Sequence, residues 1–190
     1  MTTGSNTYSQ YCQAGGLFVN NNTSSETKIT YNRFTNNTGA LSGGLVAKGK
    51  GNILISNNEF SGNTDSWFCD IYNAYEANTL SVYDASNILI KDNLFIENIP
   101  SNTPYGSVIG LRTYVTQAAS PIKFLNNTIV NSPQYSNNGL SAIKFRINAG
   151  VAVQDIQIKN NIISSTNNNG CTIDSGAGFY PLSINYNMLH

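Results

Sequence analysis

Short segments of alternating apolar and polar residues recur along the chain, and each ends on the same motif. In the clearest, Ile53–Phe60, the alternating run is followed by two polar residues, an asparagine, one further residue and a large apolar residue. Internal repetition with a period of roughly 20–50 residues is typical of solenoids, propellers and arrays. The pattern therefore predicts a stack of about six similar units. Their motif asparagines are 26, 35, 34, 34 and 26 residues apart: Asn32, Asn58, Asn93, Asn127, Asn161 and Asn187.

A second short apolar segment precedes each asparagine motif. These segments are rich in β-branched and aromatic residues and are bounded by Gly, Asn, Ser or Pro, which is typical of strands. No window combines the apolar spacing of an amphipathic helix with capping signals. The chain is therefore predicted to be all-β, with almost no α-helix. The six segments are 16–19, 44–47, 70–73, 108–111, 142–145 and 172–174.

Two or three strands per repeat, with few of the Asn-Gly turns that make hairpins, favour a right-handed parallel β-helix of about six rungs. Side chains at equivalent positions of successive rungs would then stack in columns. The motif asparagines would form a ladder at a sharp bend, each amide bonding to the next. Three interior columns are predicted: Phe34, Phe60, Phe95, Ile129, Ile163 and Leu189; Ile29, Ile55, Ile90, Phe124, Ile158 and Ile184; and Leu17, Leu45, Ile71, Ile109, Ile143 and Ile173.

The 190 residues have the length of one domain, and we expect a single β-helix domain over 1–190. A solenoid needs caps over its core and its strand edges, and neither end of the sequence contains an obvious one. We therefore expect a part of a longer chain, or a stack capped by a partner. The first residues, Met1–Ser5, lack the basic and apolar regions of a signal peptide. This fits either a cytoplasmic protein or a mature fragment with an added methionine, and we expect the second.

The charge balance excludes some classes of partner. The chain has 10 basic and 10 acidic residues, so it lacks the electrostatic footprint expected for binding nucleic acid or an anionic membrane surface. No apolar run reaches the ~18 residues needed for membrane insertion. The three cysteines, Cys12, Cys69 and Cys171, have no metal-like spacing. In the predicted rungs they lie too far apart for disulfides, which indicates free thiols.

The repeated ladder segments, clearest in Ile53–Phe60, resemble the pectate-lyase-like superfamily of single-stranded right-handed parallel β-helices over roughly residues 15–190. Members include pectate, alginate and chondroitin lyases, polygalacturonases, uronan epimerases, phage tailspikes and bacterial adhesins. Most of them act on or bind polysaccharides outside the cell. The resemblance thus implies an extracellular or cell-surface protein whose partner is a polysaccharide.

One stretch is similar to the rung of certain calcium-dependent pectate lyases that contains an Asp-Gly-Phe segment and a lysine. It runs from Gly44 to Asn52 and is followed by Asn63-Thr64-Asp65. Gly43 stands where that pattern has an aspartate, so the resemblance brings no calcium site with it. Calcium enters as a cofactor only through this resemblance, and no residue is assigned to a metal.

The predicted register brings basic residues together on one sheet. Residues alternate between the two faces of a strand, which places Lys48, Arg112 and Arg146 in one outward column and Lys144 beside them. Arginine binds carboxylates through two parallel hydrogen bonds, so an acidic glycan would suit this surface. In β-elimination of a uronate a base removes the proton next to the carboxylate while cations stabilise the developing charge. The four basic residues are the candidate catalytic groups. Candidate substrate contacts on the same sheet are Asp70, Tyr72 and Asp174.

Two hypotheses follow. In the first, the protein is a polysaccharide lyase acting on an acidic glycan through these residues. In the second, it is a non-catalytic structural, adhesin or tailspike-like module that binds a glycan or a protein, and its basic residues are ordinary solvated charges of exposed strands. Hydrolysis requires a pair of carboxylates, for which the sequence gives a thin case. The only histidine, His190, is the last residue, so Ser-His and Cys-His schemes are disfavoured.

Overall fold

Each repeat contributes one strand to each of three parallel sheets, so the chain coils around a common core. The structure is a computed structural model that describes residues 14–21, 23–39, 42–65, 78–83, 87–99, 107–113, 121–130, 141–147, 155–164, 171–175 and 182–189. Sheet A consists of β1 (Leu17–Asn21), β5 (Ser42–Gly49), β9 (Asn78–Tyr83), β12 (Ser107–Thr113), β15 (Ser141–Ile147) and β18 (Cys171–Ser175).

The other two sheets follow sheet A within each rung. Sheet B consists of β2 (Thr27–Thr30), β6 (Asn52–Ser56), β10 (Asn87–Lys91), β13 (Ile122–Leu125), β16 (Ile156–Lys159) and β19 (Leu182–Asn185). Sheet C consists of β3 (Arg33–Thr35), β7 (Glu59–Ser61), β11 (Leu94–Ile96), β14 (Thr128–Val130), β17 (Ile162–Ser164) and β20 (Met188–Leu189). A two-stranded sheet pairs β4 (Thr38–Gly39) with β8 (Thr64–Asp65). All elements assigned within the described ranges are strands, as predicted.

The predicted columns of sheets B and C are confirmed. The column from Phe34 to Leu189 and the column from Ile29 to Ile184 pair rung by rung in the expected register. Most members are buried; Ile184, by contrast, is 50% exposed. The first three rings of the sheet C column stack face to face, with centroids 4.8 Å apart for Phe34 and Phe60 and 4.7 Å for Phe60 and Phe95. Burial of these rings and of the isoleucines supplies the main driving force for the stack.

The turn from sheet B into sheet C passes through a residue with positive φ in every rung. The φ values lie between 54° and 58°. This left-handed conformation bends the chain sharply within one residue, and asparagine tolerates it better than most side chains. The asparagine that follows is buried in the four inner rungs, at Asn58, Asn93, Asn127 and Asn161. The six positive-φ residues are Tyr31, Asn57, Asp92, Asn126, Asn160 and Tyr186.

The predicted asparagine ladder is confirmed. The Nδ2 and backbone N–H of Asn93 both donate to Oδ1 of Asn127, at 2.9 and 3.0 Å, and the same arrangement links each motif asparagine to the next from Asn32 to Asn187. From Asn58 onward each Nδ2 also donates to a carbonyl of the preceding rung, such as that of Ile55. Buried amides need such partners, so the ladder holds the bend closed.

A second, shorter ladder lies five residues further on and was not predicted. The Nδ2 of Asn37 donates to Oδ1 of Asn63 at 3.0 Å, and Asn63 donates to Asn98 over the same distance. The residue before each of these asparagines also has positive φ, at Asn36, Gly62 and Glu97. The first three rungs therefore have a second bend of the same construction.

The register predicted for sheet A is wrong in two rungs. The strand between β5 and β12 is β9, in which Leu80 pairs with Leu45 and with Ile109, so the segment 70–73 does not hold that place. Ile71 and its neighbours lie outside the described residues. In the last rung, Cys171 and not Ile173 pairs with Ile143. The error in the last rung is a shift of two residues, which preserves the inward and outward faces of the strand. In the third rung the strand comes from a different, later segment of the chain.

Candidate functional site

The observed register of sheet A aligns three basic residues, a tyrosine and an aspartate in one column. Lys48 pairs with Tyr83, Tyr83 with Arg112, Arg112 with Arg146, and Arg146 with Asp174. We call this set the sheet A column. Neighbouring strands lie about 4.8 Å apart, so the five residues span about 19 Å along the helix axis. The predicted neighbour relation of Arg112 and Arg146 is confirmed.

Lys48 occupies an unusual strand. The residues of β5 are buried on both faces, with Leu45 and Ala47 on one side and Val46, 1% exposed, on the other. Val46 follows Leu45 and lies on the outward face of the strand, and Ser81, its neighbour on the next rung, is buried as well. Lys48 itself is half-buried. The outer face of sheet A is therefore covered at Val46 and Ser81, beside the half-buried Lys48.

The remaining predicted site residues are distributed as follows. Lys144 lies on β15 two residues before Arg146, and its strand neighbours are Gly110 and Thr172. Asp174 was predicted to align with Lys144, but it aligns with Arg146. Asp70 and Tyr72 lie outside the described residues, and the place predicted for them in sheet A belongs to β9.

Tyr83 is the member of the column that sequence reasoning missed. Its strand could have been found by spacing, since Leu80 precedes Ile88 of sheet B by eight residues, as Leu45 precedes Ile53. The alternating Leu80-Ser81-Val82-Tyr83 has as strong a strand pattern as the predicted segment 70–73.

The residues around Gly43 do not fit the calcium site that the sequence pattern of this stretch suggested. A β-carbon at position 43 would lie 2.5 Å from the carbonyl oxygen of Thr64 and 2.7 Å from its nitrogen. Both contacts are far inside van der Waals distance, so an aspartate cannot occupy this position without moving β8. Across the described ranges no three His, Cys, Asp or Glu side chains group as metal ligands would.

Sheet B presents a second group of basic residues, which sequence reasoning also missed. Lys91 and Lys159 both pair with Leu125, and Lys123 lies two residues before this leucine on the same strand. The three lysines are half-buried, and Lys91 forms an ion pair with Asp92 at 3.3 Å. Leu125 separates Lys91 from Lys159, and the charge of Lys91 is already paired with Asp92, so the group is less suited to binding an anion. We therefore treat this group as a comparison surface for the sheet A column.

Three parallel sheets, stacked in register and joined at bends by an asparagine ladder, define a parallel β-helix. The family model described as "Right handed beta helix region" matches residues 1–146, so the chain belongs to this family. The predicted handedness and fold class are thereby confirmed. No curated protein and no solved structure matched the chain. Within the described ranges, no helix has the length and apolar character needed to cross a bilayer.

Proposed function

We propose that this β-helix binds an acidic polysaccharide along the sheet A column, and that it acts outside the cell or at its surface, where such polymers are found. The observation that supports this most directly is the register of Lys48, Tyr83, Arg112 and Arg146 on consecutive rungs. Three cationic residues within four rungs repel one another unless anions lie between them. A polymer with a carboxylate on each sugar supplies anions at regular spacing along the same axis.

The residue types suit this ligand. Arginine presents a planar pair of donors that matches a carboxylate, while lysine provides a point charge on a flexible stem. Tyrosine offers an aromatic face for a sugar ring and a hydroxyl for its polar edge. Asp174, next to Arg146 in the register, provides an acceptor for sugar hydroxyls at one end of the column. The column thus combines charge, stacking and hydroxyl recognition within about 19 Å.

β-Elimination is the reaction that these groups favour. A base removes the proton from the carbon next to the carboxylate, the electron pair forms a carbon–carbon double bond, and the bond to the glycosidic oxygen breaks; that oxygen then takes a proton. Lys48 or Lys144 is the proposed base, because a neutral amine accepts a proton directly. Arg112 and Arg146 are the proposed cations that stabilise the enolate-like charge on the carboxylate.

The test is to incubate the folded protein with polygalacturonate, alginate, hyaluronan and chondroitin sulfate, with and without calcium. Unsaturated product is followed by its ultraviolet absorbance, and binding is measured in parallel by affinity electrophoresis. Binding with product supports the lyase. Binding without product supports the non-catalytic module, in which the sheet A column binds the polymer but does not cleave it. Absence of binding to all four polymers would overturn the proposal. Lys123→Ala on sheet B is the matched control for Lys48→Ala.

A further inference from the structure

Two exposed tyrosines occupy backbone positions that disfavour tyrosine. Tyr31 and Tyr186 have φ of 58° and 56°, and they are 81% and 87% exposed. They belong to the row of positive-φ residues at the turn from sheet B into sheet C, which we call the bend ridge. The other four members are Asn57, Asp92, Asn126 and Asn160. Asparagine and aspartate tolerate the left-handed conformation, whereas a bulky side chain there is an outlier.

Packing does not explain the two tyrosines. A ring that is more than four-fifths exposed gains little from burial, and no side-chain hydrogen bond joins either phenol to another described residue. Asparagine, which occupies the same position in rungs such as those of Asn57 and Asn160, would be more stable than tyrosine in this backbone conformation. Strained residues that the fold does not require are concentrated at sites of function, so the exception indicates a use for the ring.

Each tyrosine has an exposed asparagine beside it on a neighbouring rung, the following one for Tyr31 and the preceding one for Tyr186. Backbone hydrogen bonds place Tyr31 next to Asn57 and Asn160 next to Tyr186, about 4.8 Å apart in each case. The centre of the ridge is already bonded, because Nδ2 of Asn126 donates to Asp92 at 3.2 Å and Lys91 neutralises that aspartate. An aromatic face with an amide beside it is therefore repeated at the two ends of the ridge, about 24 Å apart.

We propose that the bend ridge is a binding surface for an uncharged stretch of polysaccharide. The apolar face of a sugar ring stacks on each tyrosine, and the adjacent asparagine amide bonds the sugar hydroxyls as both donor and acceptor. Tyrosine supplies this contact at a small cost in conformational entropy. The only charged ridge residue, Asp92, is neutralised by Lys91, which favours a neutral ligand over a polyanion. The surface is separate from the sheet A column and does not depend on the function proposed for it.

The experiment compares Tyr31→Asn, Tyr186→Asn and the double variant with the unaltered protein. Retardation is measured in gels containing soluble dextran, galactomannan, xylan or starch, and urea unfolding is measured on the same samples. We expect at least one polymer to retard the protein. Each single variant should raise the dissociation constant about tenfold, with an unfolding midpoint equal to or above that of the unaltered protein. Tyr31→Trp should retain binding, and Lys48→Ala should leave it unchanged.

Four results would overturn the proposal. Three come from the gels: none of the neutral polymers retards the protein, the double variant is retarded as much as the unaltered protein, or retardation depends on Lys48 and not on the tyrosines. The fourth is a lower unfolding midpoint than that of the unaltered protein in both single variants. A fifth concerns a different occupant. If the double substitution abolishes concentration-dependent self-association in size-exclusion chromatography without affecting any polymer, the ridge binds a second copy of the chain and not a glycan.

Discussion

The side-chain nitrogen of Asn93 lies within hydrogen-bond distance of three oxygen atoms, and the bond to Asn127 joins its rung to the next. Nδ2 donates to Oδ1 of Asn127 at 2.9 Å, to the carbonyl of Lys91 at 2.9 Å and to the carbonyl of Ile55 at 3.0 Å. The residue is 2% exposed, so water does not replace a lost partner. The ladder is therefore a buried polar network that is satisfied only by an amide.

Replacement of Asn93 by aspartate tests this dependence. A carboxylate would face the same three oxygen atoms without a donor, and we expect a loss of about 3 kcal/mol or more in the free energy of unfolding at pH 7. Burial among acceptors raises the pKa of the introduced carboxyl in the folded state. The variant should therefore be least destabilised below about pH 4 and more destabilised as the pH rises. Urea unfolding at the two pH values measures both effects.

Asn160→Asp is the control for this substitution. Asn160 is exposed, has positive φ and precedes the ladder asparagine of its rung, so it receives the same chemical change without burial. Aspartate tolerates the left-handed conformation, and the change should stay within about 0.5 kcal/mol. Equal destabilisation by the two substitutions would contradict the role assigned to the buried amide.

Stacking of the phenylalanine rings should be measurable separately from their burial. Phe60 is fully buried and stacks on both Phe34 and Phe95, whereas Phe124 is equally buried but forms no stacked ring pair within the described residues. Phe60→Leu should cost about 1–2 kcal/mol more than Phe124→Leu, because two aromatic pairs are lost in addition to volume. Chemical denaturation of the two variants gives the difference. A larger loss for Phe124→Leu would show that packing volume alone sets the cost.

The sequence predicts sheets B and C well because the asparagine marks the register in every rung. Ile55, Asn58 and Phe60 stand at fixed offsets, so one residue aligns both strands. Sheet A has no such marker. Connections of different length precede its strands, so the position of a strand cannot be read from spacing. A shift of two residues leaves the same side chains facing inward, which is why the pattern predicts Ile173 where Cys171 aligns. The second ladder, from Asn37 to Asn98, was visible in principle as an asparagine five residues after each of the first three motif asparagines.

Substitution of Gly43 by aspartate tests whether one carboxylate at this position can create a calcium site. The β-carbon would lie 2.5 Å from the carbonyl oxygen of Thr64, and β8 would have to move. We expect the free energy of unfolding of the variant to fall by about 2 kcal/mol. Addition of calcium should not raise its melting temperature. Asn20→Asp adds the same charge at an exposed position of sheet A and should change stability little. Calcium-dependent stabilisation of Gly43→Asp would overturn this interpretation.

Replacing Arg112 and replacing Arg146, the two arginines of the sheet A column, should affect the stability of the protein differently, although both side chains contribute to binding. Arg112 lies between Tyr83 and Arg146, so its only charged neighbour in the register is another cation. Arg146 also has Asp174 beside it, and an opposite charge on the next strand offsets the repulsion.

Arg112→Gln should therefore raise the free energy of unfolding by about 0.5 kcal/mol, and Arg146→Gln should leave it nearly unchanged. Both variants should bind an acidic polysaccharide about tenfold more weakly, with a smaller dependence on salt, because each loses one contact to a carboxylate. Lys123→Gln removes a charge of the same sign from sheet B and should alter neither the free energy of unfolding nor the affinity for the polysaccharide. If all three substitutions weaken binding equally, the polymer follows the overall positive charge and not the column. In that case the register of Lys48, Arg112 and Arg146 would have no part in recognition.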